Sequence, residues 1–467
     1  MSDYDLIVIG SGPAGHHAAI QAAKIGRRVA IVERQQAVGG VCINTGTIPS
    51  KTLREAVLYL SGAQQRGFYG TSYRVKPHLA MKDLMFRCHQ VIEREIDVYR
   101  AQFIRNEVDL LQGQTAFEDP HTLRVTGAAR SELFRADHFV IATGTSPAAT
   151  PGVPTDRPCV IDPDQIFQLA ALPKSMIVVG GGVIGVEYAC MFATLGTAVT
   201  VVDTRRHLLE FLDGETRDAL VYHMRSAGVT FRLGETVEHV ECGGDHQVVA
   251  LLASRKRLQA ETLLCAAGRR GNTAALNLAA AGLQADARGR LQVDDEFRTA
   301  VPHIFAAGDV IGFPSLASVS MEQGRVASAR AFGVPAVTLP ALLPYGLYAI
   351  PEVSFVGQTE EQLTQALVPY EVGIANYREI ARGGIIGDTT GRLKLIVHRD
   401  TGAVLGVHII GEGATELVHI GQAVIALGGT IRYFLDHVFN YPTLAECYKV
   451  AALAAMNKLS AGGPTSF

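Results

Sequence analysis

The sequence predicts an α/β protein with two Rossmann-like dinucleotide-binding domains, the first split by the second, and a C-terminal α+β domain. Three observations predict it. A β-type apolar run followed at once by G-x-G-x-x-G and a helix occurs twice, at Gly10 and at Gly180. The copies begin roughly 170 residues apart, too far for a solenoid repeat and suited to two separate binding units. From about Leu343 the pattern turns to antiparallel-type strands and an amphipathic helix. The chain has 467 residues, 48 of them glycine, and 48% apolar residues, which is ample for several cores.

Composition excludes several function classes. A formal net charge of −3 gives no pull toward a polyanion, so no nucleic-acid partner is expected. The seven cysteines are scattered and odd in number, and no pair has metal-ligand spacing. No metal is expected, and reduced thiols in a cytoplasmic protein are the simplest account. Strand-like residues begin by Tyr4, leaving no room for a signal peptide. Met176 to Val202 carries a single formal charge, Glu187, over a length that suits a membrane span. It reads instead as strand, glycine turn, helix and strand, so no membrane partner is expected.

The first unit opens on Asp5–Ile9, an apolar, β-branched run of the buried parallel type. Gly10, Gly12, Pro13, Ala14 and Gly15 form the turn and enter an alanine-rich helix. The glycines allow a tight turn, room for a pyrophosphate and close helix–strand packing, and the helix N-terminus offers unpaired N–H groups to phosphate. The second strand ends at Glu33, placed for a ribose, with Arg34 beside it. Next comes Gly39-Gly40-Val41-Cys42-Ile43-Asn44-Thr45-Gly46-Thr47-Ile48-Pro49-Ser50-Lys51, with Pro49 and Ser50 opening a helix. Helical spacing over about 77–106 follows, then β structure through Ala116, then a strand ending in Thr143-Gly144. Prolines 147, 151, 154 and 158 mark a stiff connection.

The second unit repeats the plan with Gly180, Gly182, Val183, Ile184 and Gly185, Glu187 on the helix, and Asp203 ending the next strand. Asp203 suits the free ribose hydroxyls of NAD(H), while Arg205 and Arg206 could pair with the 2′-phosphate of NADP(H) or simply be solvated. The unit exits at Gly268. Asp309 lies at the end of a further strand, followed by Leu316, Ala317 and a helix through Gln323. The expected domains are 1–147 and 271–342 for the split first unit, 148–270 for the inserted one, and 343–467 for the last. The tail after Leu459, rich in Gly, Ser, Pro and Thr, is expected to be loose.

These motifs resemble the pyridine nucleotide–disulfide oxidoreductases of the lipoamide dehydrogenase and glutathione reductase type, over Tyr4 to about Leu459. The resemblance implies non-covalent FAD in the first unit, NAD and NADP as substrates of the second, and a homodimer or higher homo-oligomer built on the C-terminal domain. Asp309 would contact the ribityl and phosphate part of FAD, and Leu316 and Ala317 would lie beneath the isoalloxazine. Lys51 and Glu187 match the family's ion pair beside flavin N5, although a structural salt bridge is the plainer reading. Thiol-active members carry a second cysteine where this chain has Thr47, and a histidine where it has Tyr441, with Glu446 retained beyond it. A threonine hydroxyl holds no electrons, and a tyrosine with a pKa near ~10 is a poor base near neutrality.

Cys42, Thr47, Tyr441 and Glu446 together resemble the soluble pyridine nucleotide transhydrogenase branch. The implied activity is a Si-specific NAD(P)+ transhydrogenase, moving hydride between NADPH/NADP+ and NAD+/NADH in a ping-pong cycle. Cys42 is then either a packed residue against the flavin or a redox-active thiol. The alternatives are an NAD(P)H diaphorase acting on quinones or dioxygen, a non-catalytic FAD-bearing dimer, and a dithiol reductase. No role is assigned to the paired His16 and His17.

Overall fold

The computed structural model describes residues 2–62, 69–70, 79–243, 247–335 and 339–460. β1 (Tyr4–Ile9), α1 (Pro13–Lys24) and β2 (Val29–Glu33) form the first βαβ unit. They lead into α2 (Gly40–Asn44), α3 (Thr47–Ser61), α4 (Met81–Arg105) and β3 (Asp109–Gln112). α3 begins two residues before Pro49, whose missing N–H falls in the first turn, where no intrahelical partner is needed. β4 (Gln114–Asp119), β5 (Thr122–Thr126) and β6 (Ser131–Ile141) follow. β6 serves three neighbours: its first half pairs antiparallel with β5, and its second half pairs parallel with β1 on one side and with a later strand, Ile304–Ala306, on the other. β1 is apolar on both faces because each face has its own core. Leu6 and Val8 pack under α1, while Ile7 and Ile9 meet Phe117 and Leu123 of the antiparallel strands.

β7 (Thr145–Pro147) leaves this unit, and β8 (Val160–Ile161), β9 (Ser175–Val179), α5 (Val183–Thr194), β10 (Ala198–Asp203), α6 (Gly214–Ser226) and β11 (Thr230–Leu233) build the second. A meander of β12 (Val237–Gly243), β13 (Gln247–Leu252) and β14 (Arg257–Ala260) precedes β15 (Thr262–Cys265) and β16 (Arg269–Gly271). The parallel order is β11-β10-β9-β15-β8. β16 pairs antiparallel with β7, so the chain returns alongside its own exit. β17 (Ile304–Ala306) then rejoins the first sheet beside β6, and α7 (Ala317–Ala331) packs on α1. This crossing is tight: a Cβ on Gly324 would lie 1.9 Å from the Ala14 carbonyl oxygen.

The C-terminal unit contains β18 (Tyr345–Leu347), β19 (Val353–Gly357), α8 (Glu360–Gln365), β20 (Tyr370–Asn376), α9 (Ala381–Ile386), β21 (Arg392–His398), β22 (Val404–Ile410), α10 (Ala414–Ala426), α11 (Arg432–Asp436) and α12 (Glu446–Ser460). Its strands run antiparallel in the order β18-β19-β22-β21-β20. It grips the second unit through Lys394, whose buried ammonium lies 2.8 Å from Asp213 and 3.1 Å from Glu215, and also meets Glu360. Removing that lysine would strand three converging carboxylates.

One expectation is corrected. Cys159 and Cys242 form a disulfide in the second unit, so not all thiols are reduced. Both line the core between the meander and β8, a proximity that a sequence separation of 83 conceals. Cys42, Cys88, Cys190, Cys265 and Cys447 are free. Among the described residues, no helix is long and apolar enough to cross a membrane. Of the tail after Leu459 expected to be loose, Ser460 ends α12 and residues 461–467 lie outside the described residues.

Candidate active site

The two glycine turns fold alike because each must pass a helix N-terminus over a strand end. Gly10 has φ +102°, and a Cβ there would sit 2.5 Å from the Ala142 carbonyl oxygen. Gly180 has φ +104°, with the corresponding oxygen of Ala266 at 2.6 Å. Gly15 and Gly185 let α1 and α5 close on the preceding turn, where a Cβ would lie 1.8 and 1.9 Å from the carbonyl oxygens of Gly10 and Gly180. Gly12 and Gly182 differ from these. Neither has positive φ, and a Cβ on either meets nothing within 4 Å. The protein itself does not need glycine there; the open space in front of each helix does. Neither helix has a side-chain N-cap, so first-turn N–H groups face that space. Pro13, Ala14, Val183 and Ile184 form those first turns.

The acids at the strand ends are held differently. Glu33 accepts from the Ser11 hydroxyl at 2.6 Å, the Ser11 N–H at 3.1 Å and the Gln35 N–H at 2.9 Å. Ser11 Oγ in turn accepts from the Gly39 N–H at 2.9 Å, which ties the Gly39–Gly40 loop and Val41 to the first turn. Arg34 projects to solvent. Asp203 accepts from the Gly181 N–H at 2.6 Å and from Arg205 Nε and Nη2 at 2.9 and 2.7 Å. Arg205 is therefore already engaged by its own acid. Arg206 is exposed and makes no ion pair among the described residues.

α3 of the first unit packs against α5 of the second. Lys51 Nζ donates to Glu187 Oε2 at 2.7 Å, joining helices of the first and second units. Glu187 is buried, and its Oε1 accepts from the Tyr348 N–H at 2.9 Å. Cys42 stands on α2 and Thr47 begins α3, with the two side chains near each other. Burial pushes the thiol pKa up, the neighbouring Thr47 hydroxyl pulling the other way, so Cys42 is protonated and weakly nucleophilic at neutral pH. Asp309 heads a short 3₁₀ turn after β17, and its carboxyl is also raised by burial. It accepts from Thr145 Oγ1 at 3.3 Å, and Thr145 accepts from Arg269 Nε at 2.8 Å. Thr143 Oγ1 is buried without a hydrogen-bond partner. Gly144 and Gly268 flank the β7–β16 joint with positive φ. Leu316 caps α7, Ala317 begins it, and Ala116 lies half-buried on β4.

Tyr441 and Glu446 are not brought to Cys42 within one chain. Tyr441 is exposed on the C-terminal unit, and Glu446 opens α12. Sequence reasoning missed Ser11, Arg269 and Tyr348. Ser11 lies inside the quoted motif, and its hydroxyl was the available signal. Arg269 and Tyr348 act through tertiary contacts and have no local signature.

The chain matches the pyridine nucleotide-disulphide oxidoreductase family over residues 4–324 and that family's dimerisation domain over residues 343–452. It is 56% identical, over 99% of both chains, to a soluble pyridine nucleotide transhydrogenase of Mycobacterium bovis. It is 45% identical to that of Colwellia psychrerythraea, over 98% of this chain and 99% of the other. Among solved structures it resembles the HOCl-induced flavoprotein disulfide reductase RclA from Escherichia coli, with a TM-score of 0.87 and 29% identity over 96% of this chain and 99% of that one. LpdA from Mycobacterium tuberculosis gives a TM-score of 0.88 and 26% identity over the same shares. With its paired glycine turns, its Lys51–Glu187 bridge and these full-length matches, the chain belongs to the pyridine nucleotide-disulphide oxidoreductases, an FAD-dependent family that uses NAD(P)H.

Proposed function

We propose that the chain is a soluble pyridine nucleotide transhydrogenase. It moves hydride between NADPH/NADP+ and NAD+/NADH, with the two nicotinamides using one site in turn. Residues 1–147 and 271–342 form the FAD domain, 148–270 the NAD(P) domain and 343–467 the dimerisation domain of a cytoplasmic homodimer. The observation that carries the reading is the Cys42–Thr47 pair: a free thiol kept protonated by burial, with a hydroxyl where a second thiol would be needed, offers electrons no exit on that side.

The residues of the first unit fit FAD. The slot before Gly12 admits a pyrophosphate, Glu33 is placed for a ribose, and the buried, unpartnered Thr143 hydroxyl and the poorly satisfied Asp309 suit a polar chain. Bound there, FAD would supply a centre that accepts and returns a hydride. The protein's own share is orientation and exclusion of water. Lys51 and Glu187 fix the approach of α3 to α5, with Cys42 and Thr47 packed beside that approach. Gly182, Val183 and the first turn of α5 hold the nicotinamide dinucleotide's phosphates, and Asp203, Arg205 and Arg206 sort its ribose. Tyr441 and Glu446 stand on the face that the partner subunit would complete.

The test mixes holoenzyme, NADPH and a spectrally distinct NAD+ analogue. Hydride exchange with little quinone turnover is expected. Flavin reduction without exchange sinks the assignment and favours a diaphorase. Turnover of a small disulfide that Cys42→Ser abolishes would restore the dithiol-reductase reading.

A further inference from the structure

We propose that Tyr348 is a positioning residue for the hydride port, its ring serving as a neutral seat for the Lys51 ammonium. The inference rests on the proposed function and concerns how its ion pair is kept in place. Lys51 Nζ sits 5.0 Å from the Tyr348 ring centroid, within the range of a cation–π contact. The same residue's backbone N–H binds the far oxygen of Glu187. Lys51 comes from the first unit, Glu187 from the second and Tyr348 from the C-terminal unit, so all three meet at one ion pair.

The arrangement has a chemical logic. Glu187 is held at both oxygens and cannot swing, whereas Lys51 is about a quarter exposed and, besides Glu187, its Nζ donates to Ser50 Oγ at a long 3.3 Å, a weak restraint that the ring supplements. A carboxylate in that place would compete with Glu187 for the ammonium. An aromatic face attracts the charge without accepting a directed bond, so the Lys51–Glu187 geometry survives. Tyr348 is itself braced. Its ring and Thr415 lie side by side over Gly346, and Thr415 Oγ1 donates to Glu352 at 3.0 Å. Glu352 pairs with Arg54 at 3.1 Å, and Arg54 Nε donates to the Ala349 carbonyl at 2.9 Å. Arg54 lies on α3, nearly one turn after Lys51, so helix and seat are fastened to each other twice.

The backbone bond to Glu187 persists whatever side chain occupies position 348, so substitutions isolate the ring. The experiment compares Tyr348→Leu, Tyr348→Phe and Lys51→Met as flavin-loaded proteins under anaerobic rapid mixing with NADPH. It also records the oxidised flavin absorbance spectrum and midpoint potential, which report the position of a nearby cation. Tyr348→Leu is expected to slow flavin reduction about tenfold and to shift spectrum and potential in the same direction as Lys51→Met. Tyr348→Phe should stay within about twofold of the parent, because the ring face is kept. If Tyr348→Leu does not retain flavin, Tyr348→Met carries the same expectation. A leucine or methionine variant that matches the parent in rate, spectrum and potential overturns the proposal, as does a phenylalanine variant as impaired as leucine. If Lys51→Met itself leaves reduction unchanged, the port reading fails instead.

Discussion

The two glycine turns are near-duplicates in backbone and differ in what surrounds them. Gly10, Gly12 and Gly15 superimpose in role on Gly180, Gly182 and Gly185, down to the carbonyl each Cβ would strike. Beyond the third glycine they part. His16 and His17 follow in the first unit, where Val186 and Glu187 follow in the second. Both acids accept backbone N–H groups, but the first is further fixed by a serine hydroxyl and the second by a guanidinium. The first unit is capped by α7 crossing α1, whereas the second is stapled by a disulfide. On the proposed assignment, the first turn holds a resident ligand and the second a ligand that comes and goes.

The staple offers the largest break in the comparison. Cys159→Ser should destabilise the second unit by about 4 kcal/mol on the chain-entropy account of a long closed loop. Thermal scans reading nicotinamide binding and flavin release separately check it. The nicotinamide signal should melt earlier while flavin release holds; parallel shifts would mean that the units unfold as one.

His16 is the next lever. It is buried against Tyr99, with ring centroids 4.0 Å apart, and burial, with His17 beside it, pushes its pKa down to about 4. Below its unfolded value near 6.5 the unfolded chain binds the proton and the folded one does not. Stability is therefore intact above that pH and falls as pH drops from there toward 4, by about 3 kcal/mol at the low end. His16→Val, which copies Val186, should remove this acid lability from flavin release. An unchanged pH profile would place the lability elsewhere.

Third, valine at the two open glycines should separate the units by ligand. Gly12→Val should fold and lose about a hundredfold in FAD affinity, with Gly182→Val keeping FAD and losing about a hundredfold for both nicotinamides. Flavin titration of the apoprotein and steady-state KM values decide this. If either substitution weakens both ligands equally, the turns are not independent.

The smallest expected effect sharpens the contrast between Glu33 and Asp203. Arg206→Ala should raise the NADPH KM about tenfold and leave the NADH KM nearly unchanged. Arg205→Ala also unpairs Asp203, so its NADPH penalty combines a lost cation with an exposed carboxylate. Equal effects of both variants on NADH and NADPH would remove these arginines from phosphate recognition.

Much of this was legible in the chain. The strand–turn–helix register around Gly10 and Gly180 placed both βαβ units, because local sterics at a tight turn leave few alternatives to glycine. The return of the chain to the first unit ahead of Asp309 was anticipated only through resemblance, and its pairing beside β6 was not anticipated. The Lys51–Glu187 pair was anticipated only through resemblance, since 136 residues separate its members. Cys159–Cys242 was missed because pairing depends on which β edges face each other, and scattered spacings carry no such information. His16 had no assigned role because only its burial gives it an abnormal proton affinity.

By itself, the order of residues determined two dinucleotide folds, the absent second thiol at Thr47 and the changed residue at Tyr441, because these are matters of side-chain chemistry and near-neighbour backbone geometry. Tertiary structure alone decided that the Tyr348 ring lies over Lys51 and that Cys159 meets Cys242. Each of those contacts joins separate elements, and its energy exists only once packing has brought the surfaces within a few ångströms.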